Sequence, residues 1–315
     1  GDDSFKHRLD GWISTDTVLL VLPLGREALA PLRAMGQRRV LLYPSWELEQ
    51  PPDDCVALLL QHVDGFWAPS SFIAAMLRHL GKPVTLVPQP MRIPPDEALE
   101  ASRLREGQRP FTVLTYCDLD SYPARKNPLA AVAAFQRAFP GRPDLRLRVK
   151  VRGRHGRDIR QQLRQQVAVD SRLQLFDQTL SRQQVDQLLL DCDCFLSLHR
   201  SEGVGFGPAE ALASAKPVVT THYGGVTDFI HPETAWPVGY ERVPIRAGDY
   251  PFGQGQFWAE PRLEEAVAAL RWIEAHREAA QAKAVRGRRW LQEHQSIEAM
   301  ARRLRKFGNS SSNPS

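Results

Sequence analysis

The sequence contains few cysteines and no long apolar run. Its four cysteines, Cys55, Cys117, Cys192 and Cys194, are too few and too irregularly spaced for a disulfide framework, and no second ligand pair completes a zinc site. We predict buried thiols. No stretch approaches the roughly 18 apolar residues of a membrane span, and the first residues lack the apolar centre of a signal peptide. We therefore expect a cytoplasmic protein, with a peripheral position at the inner face of the membrane left open.

Several kinds of site are also missing. The nine histidines show no metal-ligand spacing, and no Ser–His–acid or Cys–His arrangement can be assembled. The net charge of +5 and the pI near 9.2 favour an anionic partner. The densest basic run, residues 142–164, has no interleaved aromatic residues on which bases could stack. We expect no metal site and no nucleic-acid partner, which leaves a nucleotide sugar or an acidic membrane surface.

The composition is that of a globular chain, with 43% hydrophobic and 24% charged residues, and a length of 315 residues predicts about two domains. From Thr17, short apolar runs alternate with amphipathic segments, which is typical of a parallel sheet covered by helices. Strands are predicted at 18–22, 40–43, 66–68 and 84–87, and helices at 27–35, 53–62 and 71–80. A proline-rich linker is predicted at 88–109, and the boundary of the first domain is predicted at 1–105. This domain is either small or preceded by further chain.

A second series of the same kind fills residues 106–308. Strands are predicted at 111–116, 145–151, 173–176, 195–198 and 218–221, and helices at 128–139, 157–169 and 183–190. Residues 262–307 are typical of helices, and the tail 309–315 is predicted to be disordered. The fold class is therefore α/β, with two Rossmann-like domains.

The stretch 201–213 is predicted to be a glycine loop between a strand and a helix. Gly203, Gly205 and Gly207 permit left-handed backbone angles and the close approach of a ligand, and Phe206 lies among them. Pro208 suits the first turn of a helix. Because a helix start offers unpaired N–H groups and a positive dipole end, the stretch predicts an anion pocket.

Two carboxylates, Glu202 and Glu210, flank these glycines. Carboxylates would repel a diphosphate, so they are better suited to accept hydrogen bonds from neutral hydroxyls of a ribose or a hexose. This favours a nucleotide sugar as ligand. The alternative is that Glu202 is a solvated loop residue and Glu210 is a helix-start residue favoured by the dipole.

The run from His199 to Pro208, followed by Glu210-Ala211 and by Lys216 to Val219, resembles the donor-site signature of retaining glycosyltransferase family 4. The resemblance covers most of residues 111–261. It implies the GT-B fold, with two facing Rossmann-like domains of which the N-terminal one is short. Val204 and Gly207 stand where the family usually has Phe and Leu, which affects the shape of the pocket more than its chemistry.

The resemblance also implies roles for individual residues. Lys126 would hold the donor diphosphate, Glu210 the ribose and Glu202 the transferred sugar. The family's second arginine is missing, because Cys117-Asp118 lies in its region, and its role is transferred to Arg125. The alternative is that Arg125 and Lys126 only solvate the start of a helix.

Two further pairs remain open as candidates. His199 and His222 lie near strand ends, where each either contacts the donor or is a satisfied interior residue. Trp46 and Glu47 follow a strand end in a segment that resembles one of bacterial relatives. They either contact an acceptor sugar, or Trp46 packs the loop and Glu47 faces water.

The resemblance implies a metal-independent retaining hexosyltransferase without a cofactor. It would transfer a hexose from a UDP- or GDP-sugar to a hydroxyl of a growing or lipid-linked bacterial glycan in polysaccharide biosynthesis. Asp191-Cys192-Asp193 formally matches a metal motif but precedes a strand, at the wrong edge of the sheet. The alternatives are a nucleotide-sugar-binding subunit without activity and a glycan phosphorylase, for which Lys216 is a poor pyridoxal phosphate lysine.

Overall fold

A computed structural model describes residues 17–103 and 109–311. The chain divides into two compact units, one formed by Gly1–Pro90 with Ile297–Ser315 and the other by Met91–Ser296. The division at Pro90 lies inside the predicted linker. That linker also contains a helix, Asp96–Arg103, and its residues 104–108 lie outside the described ones.

The first unit is built on a four-stranded parallel sheet in the order β1-β2-β3-β4. The strands are β1 (Thr17–Pro23), β2 (Arg39–Ser45), β3 (Gly65–Ala68) and β4 (Val84–Leu86), and the helices are α1 (Asp53–His62) and α2 (Ser71–Arg78). All four predicted strands are confirmed. The helix predicted at 27–35 is wrong, because only a 3-10 turn, Ala30–Ala34, forms there. Pro31 would remove a hydrogen bond from the middle of a longer helix.

The second unit contains a six-stranded parallel sheet in the order β10-β9-β8-β5-β6-β7. Its strands are β5 (Phe111–Asp118), β6 (Leu145–Arg152), β7 (Leu173–Asp177), β8 (Cys194–Ser197), β9 (Val218–Thr221) and β10 (Trp236–Val238). An antiparallel pair, β11 (Tyr240–Pro244) and β12 (Phe257–Pro261), follows. The predicted strands are confirmed, and together they place their carboxyl ends at one edge, where such sheets bind ligands.

Helices cover both faces of this second sheet. They are α3 (Asp96–Arg103), α4 (Pro123–Lys126), α5 (Pro128–Ala138), α6 (Arg157–Val169), α7 (Arg182–Leu190), α8 (Phe206–Ala213), α9 (Leu263–Ala275) and α10 (Arg277–His294). Val113 and Phe135 belong to one buried apolar layer, whereas Leu114 and Leu212 belong to the other. Successive residues of β5 therefore supply both cores, as expected of a strand buried on its two faces.

The last helix, α11 (Ile297–Ser311), belongs to the first unit, although we predicted it within the second domain. Its Met300 and Leu304 line an apolar cavity of about 410 Å³ together with Leu19 and Tyr43 of the same unit. The helix also overlaps the predicted disordered tail, since it continues through Ser311, and residues 312–315 lie outside the described ones. No helix among the described residues is long and apolar enough to cross a membrane.

Candidate functional site

The predicted strand, glycine loop and helix are all present at the carboxyl edge of the second sheet. Strand β8 leads into the loop, and α8 begins at Phe206 behind Gly205, whose φ of 87° is in the left-handed region. A Cβ at Gly205 would lie 2.3 Å from Val226 Cγ1, so this position requires glycine for space as well. Phe206 is 52% exposed, which leaves the start of the helix open to solvent.

Gly207 lies against two aromatic rings. A Cβ there would lie 3.0 Å from the Phe195 ring and 3.2 Å from the Tyr116 ring. These rings, in edge-to-face contact 5.0 Å apart, occupy the space that a leucine at this position would need. The departure from the family pattern at Gly207 therefore has a steric reason.

Two further glycines, Gly224 and Gly225, pack against the backbone of the glycine loop. The Gly225 N–H donates to the Glu202 carbonyl at 2.7 Å. A Cβ added to Gly224 would lie 2.2 Å from the Glu202 carbonyl oxygen. A Cβ added to Gly225 would lie 2.1 Å from the Gly203 carbonyl oxygen. The sequence analysis did not assign this role to Gly224 and Gly225. The available signal was a glycine pair shortly after a buried strand, which is typical of close backbone approach.

The Glu202 side chain is held by two cations. Its Oε1 lies 2.5 Å from Lys126 Nζ, and its Oε2 lies 3.1 Å from Arg125 Nη1. Burial alone would raise the pKa of Glu202, but the charges of Lys126 and Arg125 outweigh it and lower the pKa to about 2. The carboxylate therefore stays ionised at neutral pH.

Both cations come from the one-turn helix α4. It is bounded by two residues with positive φ, Tyr122 at 60° and Asn127 at 51°, and such strain is common at functional sites. Lys126 keeps part of its side chain in solvent. Arg125, by contrast, is only 1% exposed and also donates to the Ser201 carbonyl at 2.8 Å and to Ser121 Oγ. Its guanidinium is directed at protein oxygens rather than at open space.

Glu210 lies on α8 and is engaged by two residues that the sequence did not indicate. One oxygen accepts from the Tyr116 hydroxyl and the other pairs with Arg182 at the start of α7. Burial and the Glu210 charge raise the pKa of Tyr116 well above its usual value, so the phenol remains a donor. Arg182 is half exposed and also pairs with Asp186, so it can leave Glu210 at small cost.

The two candidate histidines are held by backbone carbonyls. His199 is fully buried, and its Nε2 lies 3.1 Å from the Tyr223 carbonyl while Ser197 Oγ lies 3.1 Å from Nδ1. Burial lowers the pKa of His199 to about 4, so the ring is neutral. His222 Nε2 contacts the Ile230 carbonyl at 3.1 Å. Of the two alternatives for each histidine, these contacts are the ones expected of a satisfied interior residue.

Trp46 and Glu47 belong to the first unit. Trp46 is buried, and its indole N–H donates to the Gln50 carbonyl at 2.7 Å, which is the packing arrangement among the two alternatives. Glu47 is half-buried. A contact between Glu47 and an acceptor stays a prediction.

Two other sequence candidates are engaged elsewhere in the second unit. Asp193 lies at the amino end of β8 and pairs with Arg109 at 2.5 Å. Lys216 is buried and donates to Ser102 at 3.1 Å. Within the described ranges 17–103 and 109–311, no group of three or more His, Cys, Asp or Glu side chains could hold a metal.

Solved structures with similar folds are numerous, although sequence identity is low. The chain is similar to Anabaena Alr3699/HepE in complex with UDP, with a TM-score of 0.70 and 14% identity over 93% of this chain and 78% of that one. Sucrose-phosphate synthase from Thermosynechococcus elongatus gives a TM-score of 0.69 and 16% identity over 98% and 76%. The pneumococcal O-GlcNAc transferase GtfA, in complex with UDP and GlcNAc, gives 0.65 and 14% over 98% and 59%. The predicted GT-B fold is confirmed.

The sequence itself matches a family. A search among curated proteins finds no significant match. Residues 70–304, however, match the family described as "Family 4 Glycosyltransferase in conflict systems". That range includes the glycine loop, both of its glutamates and the basic helix α4. Since it covers most of the chain, this protein belongs to the family 4 glycosyltransferases of conflict systems.

Proposed function

We propose that the protein is a retaining glycosyltransferase that transfers a hexose from a nucleotide diphosphate sugar to a hydroxyl of a glycan. The observation that carries this proposal is the contact between Lys126 and Glu202 beside the start of α8. A cation suited to a diphosphate and a carboxylate suited to sugar hydroxyls meet there, next to backbone N–H groups. The UDP bound to Alr3699/HepE supports a nucleotide as the ligand of this fold.

In this proposal Lys126 stabilises the diphosphate as the glycosidic bond breaks and negative charge develops on the leaving oxygen. The N–H groups at the start of α8 act on the same charge, and because both are preorganised they need little rearrangement during the reaction. Glu202 accepts hydrogen bonds from hydroxyls of the transferred sugar. Arg125 acts as a positioning residue, since it fixes Glu202 and the Ser201 carbonyl.

Glu210 receives the ribose in the same scheme. The Tyr116 hydroxyl orients one oxygen of Glu210, and Arg182 leaves the other when the ribose hydroxyls arrive. We further propose that the reaction needs no metal and no resident cofactor, because cations and backbone N–H groups supply the positive charge. The acceptor side, with Glu47, is assigned to the first unit.

The test is an incubation of the protein with a panel of UDP-, GDP- and dTDP-sugars and glycan acceptors, followed by mass spectrometry. The proposal expects a product heavier by one hexose and release of a nucleoside diphosphate. Proton NMR of the product then reports whether the anomeric configuration of the donor is kept. Binding of a nucleotide sugar with neither transfer nor hydrolysis would favour a binding subunit instead.

A further inference from the structure

Strand β6 carries a row of cations along one face. Arg146, Arg148, Lys150 and Arg152 alternate with apolar residues, and alternate residues of a strand share a face. Lys150 is in register with Tyr116 of β5, whose hydroxyl reaches Glu210. The row therefore lies on the face of the sheet that α8 covers, and its end is at the carboxyl edge.

Lys150 differs from the other cations of the row. Arg152 pairs with Asp118 at 2.7 Å, and Arg148 donates to Gln174 at 3.2 Å. Lys150 is only 6% exposed, yet within the part of the chain that the structure describes its ammonium has no hydrogen bond and no ion pair within 4.0 Å. The stem of Lys150 is covered by protein, but its ammonium is not among the fully buried polar atoms that lack a partner, so it reaches the surface. A cation held in this way at the carboxyl edge, with no protein partner among the described residues, is available to an anionic ligand.

The carboxylates near Lys150 already have other partners. Asp118 and Glu210 act favourably on the ammonium, and Arg152 opposes it. Both acids are already engaged, Asp118 by Arg152 and Glu210 by Tyr116 and Arg182. Burial lowers the pKa of Lys150, which is the direction expected of a cation whose counter-ion is absent.

Lys150 and Lys126 both act on one position at the end of β5. The charges of the two lysines each lower the pKa of the Cys117 thiol, although burial outweighs them and raises it to about 12. Lys150 is in register with Tyr116 near the carboxyl end of β5, and α4, which carries Lys126, follows that end after a 3-10 turn, Leu119–Ser121. Both lysines are therefore attached near the same strand end. A diphosphate carries more than one negative charge, and Arg125 is turned toward Glu202.

We propose that Lys150 is the second cation of the donor pocket and binds a phosphate oxygen of the nucleoside diphosphate, with Lys126 as the first. This inference rests on the proposed function, because it needs a nucleotide sugar as ligand. In this proposal Tyr116, which is in register with Lys150, orients the Glu210 carboxylate toward the ribose. Lys150 binds the phosphate.

Calorimetric titration of Lys150→Met tests the inference. The ligands are whichever of UDP, GDP and dTDP the wild type binds most tightly and the matching nucleoside. Loss of a charged contact to phosphate should weaken the diphosphate by about 10-fold or more and the nucleoside by less than about 2-fold. Arg148→Met, which removes a cation from the same strand and face farther from the edge, is the matched control and should bind both ligands as the wild type does.

Equal binding of the diphosphate by wild type and Lys150→Met would overturn the inference while the proposed function stands. Equal weakening of the nucleoside and the diphosphate would also overturn it. If the wild type binds no nucleoside diphosphate, the proposed function itself fails. Reductive methylation of wild-type lysines, mapped by mass spectrometry, is independent of folding of the variant. The diphosphate should slow labelling of Lys150 by about 5-fold or more and the nucleoside should not, and equal labelling would contradict the inference.

Discussion

The Lys126 ammonium lies 2.5 Å from the Glu202 carboxylate, across 76 residues of sequence. This pair brings together the cation assigned to the diphosphate and the carboxylate assigned to the sugar. In a donor, the diphosphate and the sugar are joined by the bond that is to be broken. The contact therefore defines where that bond is expected to lie.

The ionised state of Glu202 predicts a stability difference that depends on pH. Because the folded pKa of about 2 is below the usual 4.5, the carboxylate stabilises the fold above pH 4.5, and this contribution is lost as the pH falls toward 2. The advantage of wild type over Glu202→Gln should shrink by about 3 kcal/mol across that window. Urea unfolding between pH 6 and pH 2.5, followed by tryptophan fluorescence, measures it. A constant difference would show that the carboxylate is not held ionised by its two cations.

The buried His199 predicts a second change in the free energy of unfolding, at higher pH than that of Glu202. Its folded pKa of about 4 is below the usual 6.5, so the folded state resists protonation and loses stability as the pH falls from 6.5 to 4. Relative to His199→Gln, the wild type should lose about 3 kcal/mol over that range. The same unfolding experiment, carried out from pH 8 to pH 4, reports it. Parallel curves for the two proteins would mean that the imidazole is solvated rather than buried.

Gly224 and Gly225, which pack against the backbone of the glycine loop, predict a large effect of one added methyl group. Gly224→Ala places a Cβ 2.2 Å from the Glu202 carbonyl oxygen, which is backbone and cannot move freely. We expect a loss of about 3 kcal/mol or more in the free energy of unfolding, together with loss of donor binding.

Gly248→Ala is the matched control for this change. Gly248 has a similar φ of 86° but no atom within 4 Å of its added Cβ, so its substitution reports the strain of a positive φ without a steric contact, at about 1 kcal/mol. Equal free energies of unfolding for the two variants would show that the contact between the added Cβ at position 224 and the Glu202 carbonyl oxygen does not destabilise the fold.

Positive charge from side chains and backbone N–H groups predicts that turnover is independent of a divalent metal. Product formation after treatment with EDTA should stay within about 2-fold of the untreated rate, since the leaving diphosphate already has protein partners. The measurement is the initial rate with and without EDTA, and with manganese added back. Full loss in EDTA with recovery in manganese would assign that charge to a metal instead.

Much of the second unit follows from local sequence pattern. Apolar runs located each strand of its main sheet except β10, and the spacing of Gly203, Gly205 and Pro208 indicated the loop and the start of α8. Lys126 and Glu202 were both singled out, and the parallel topology explains why they meet, because each follows the carboxyl end of a strand.

The parts that were missed depend on contacts between distant segments. Nothing local to Arg182 indicates that it pairs with Glu210, and nothing local to Lys150 distinguishes it from the arginines of its own strand. Nothing local to Arg125 indicates that it is buried, because its partners Glu202 and Ser201 are 76 or more residues away in the sequence. The apolar face of α11 likewise does not indicate which unit it covers.

The role of Lys126 is tested most directly by the rate at which Lys126→Ala releases nucleoside diphosphate from the donor that the wild type uses. Charge on the leaving diphosphate grows as the bond breaks, so the variant should be slower by about 100-fold or more at saturating donor. Arg137→Ala, which removes an exposed cation from the same unit, should keep the wild-type rate. A rate for Lys126→Ala within a few-fold of wild type would contradict the assignment of this site as the donor pocket.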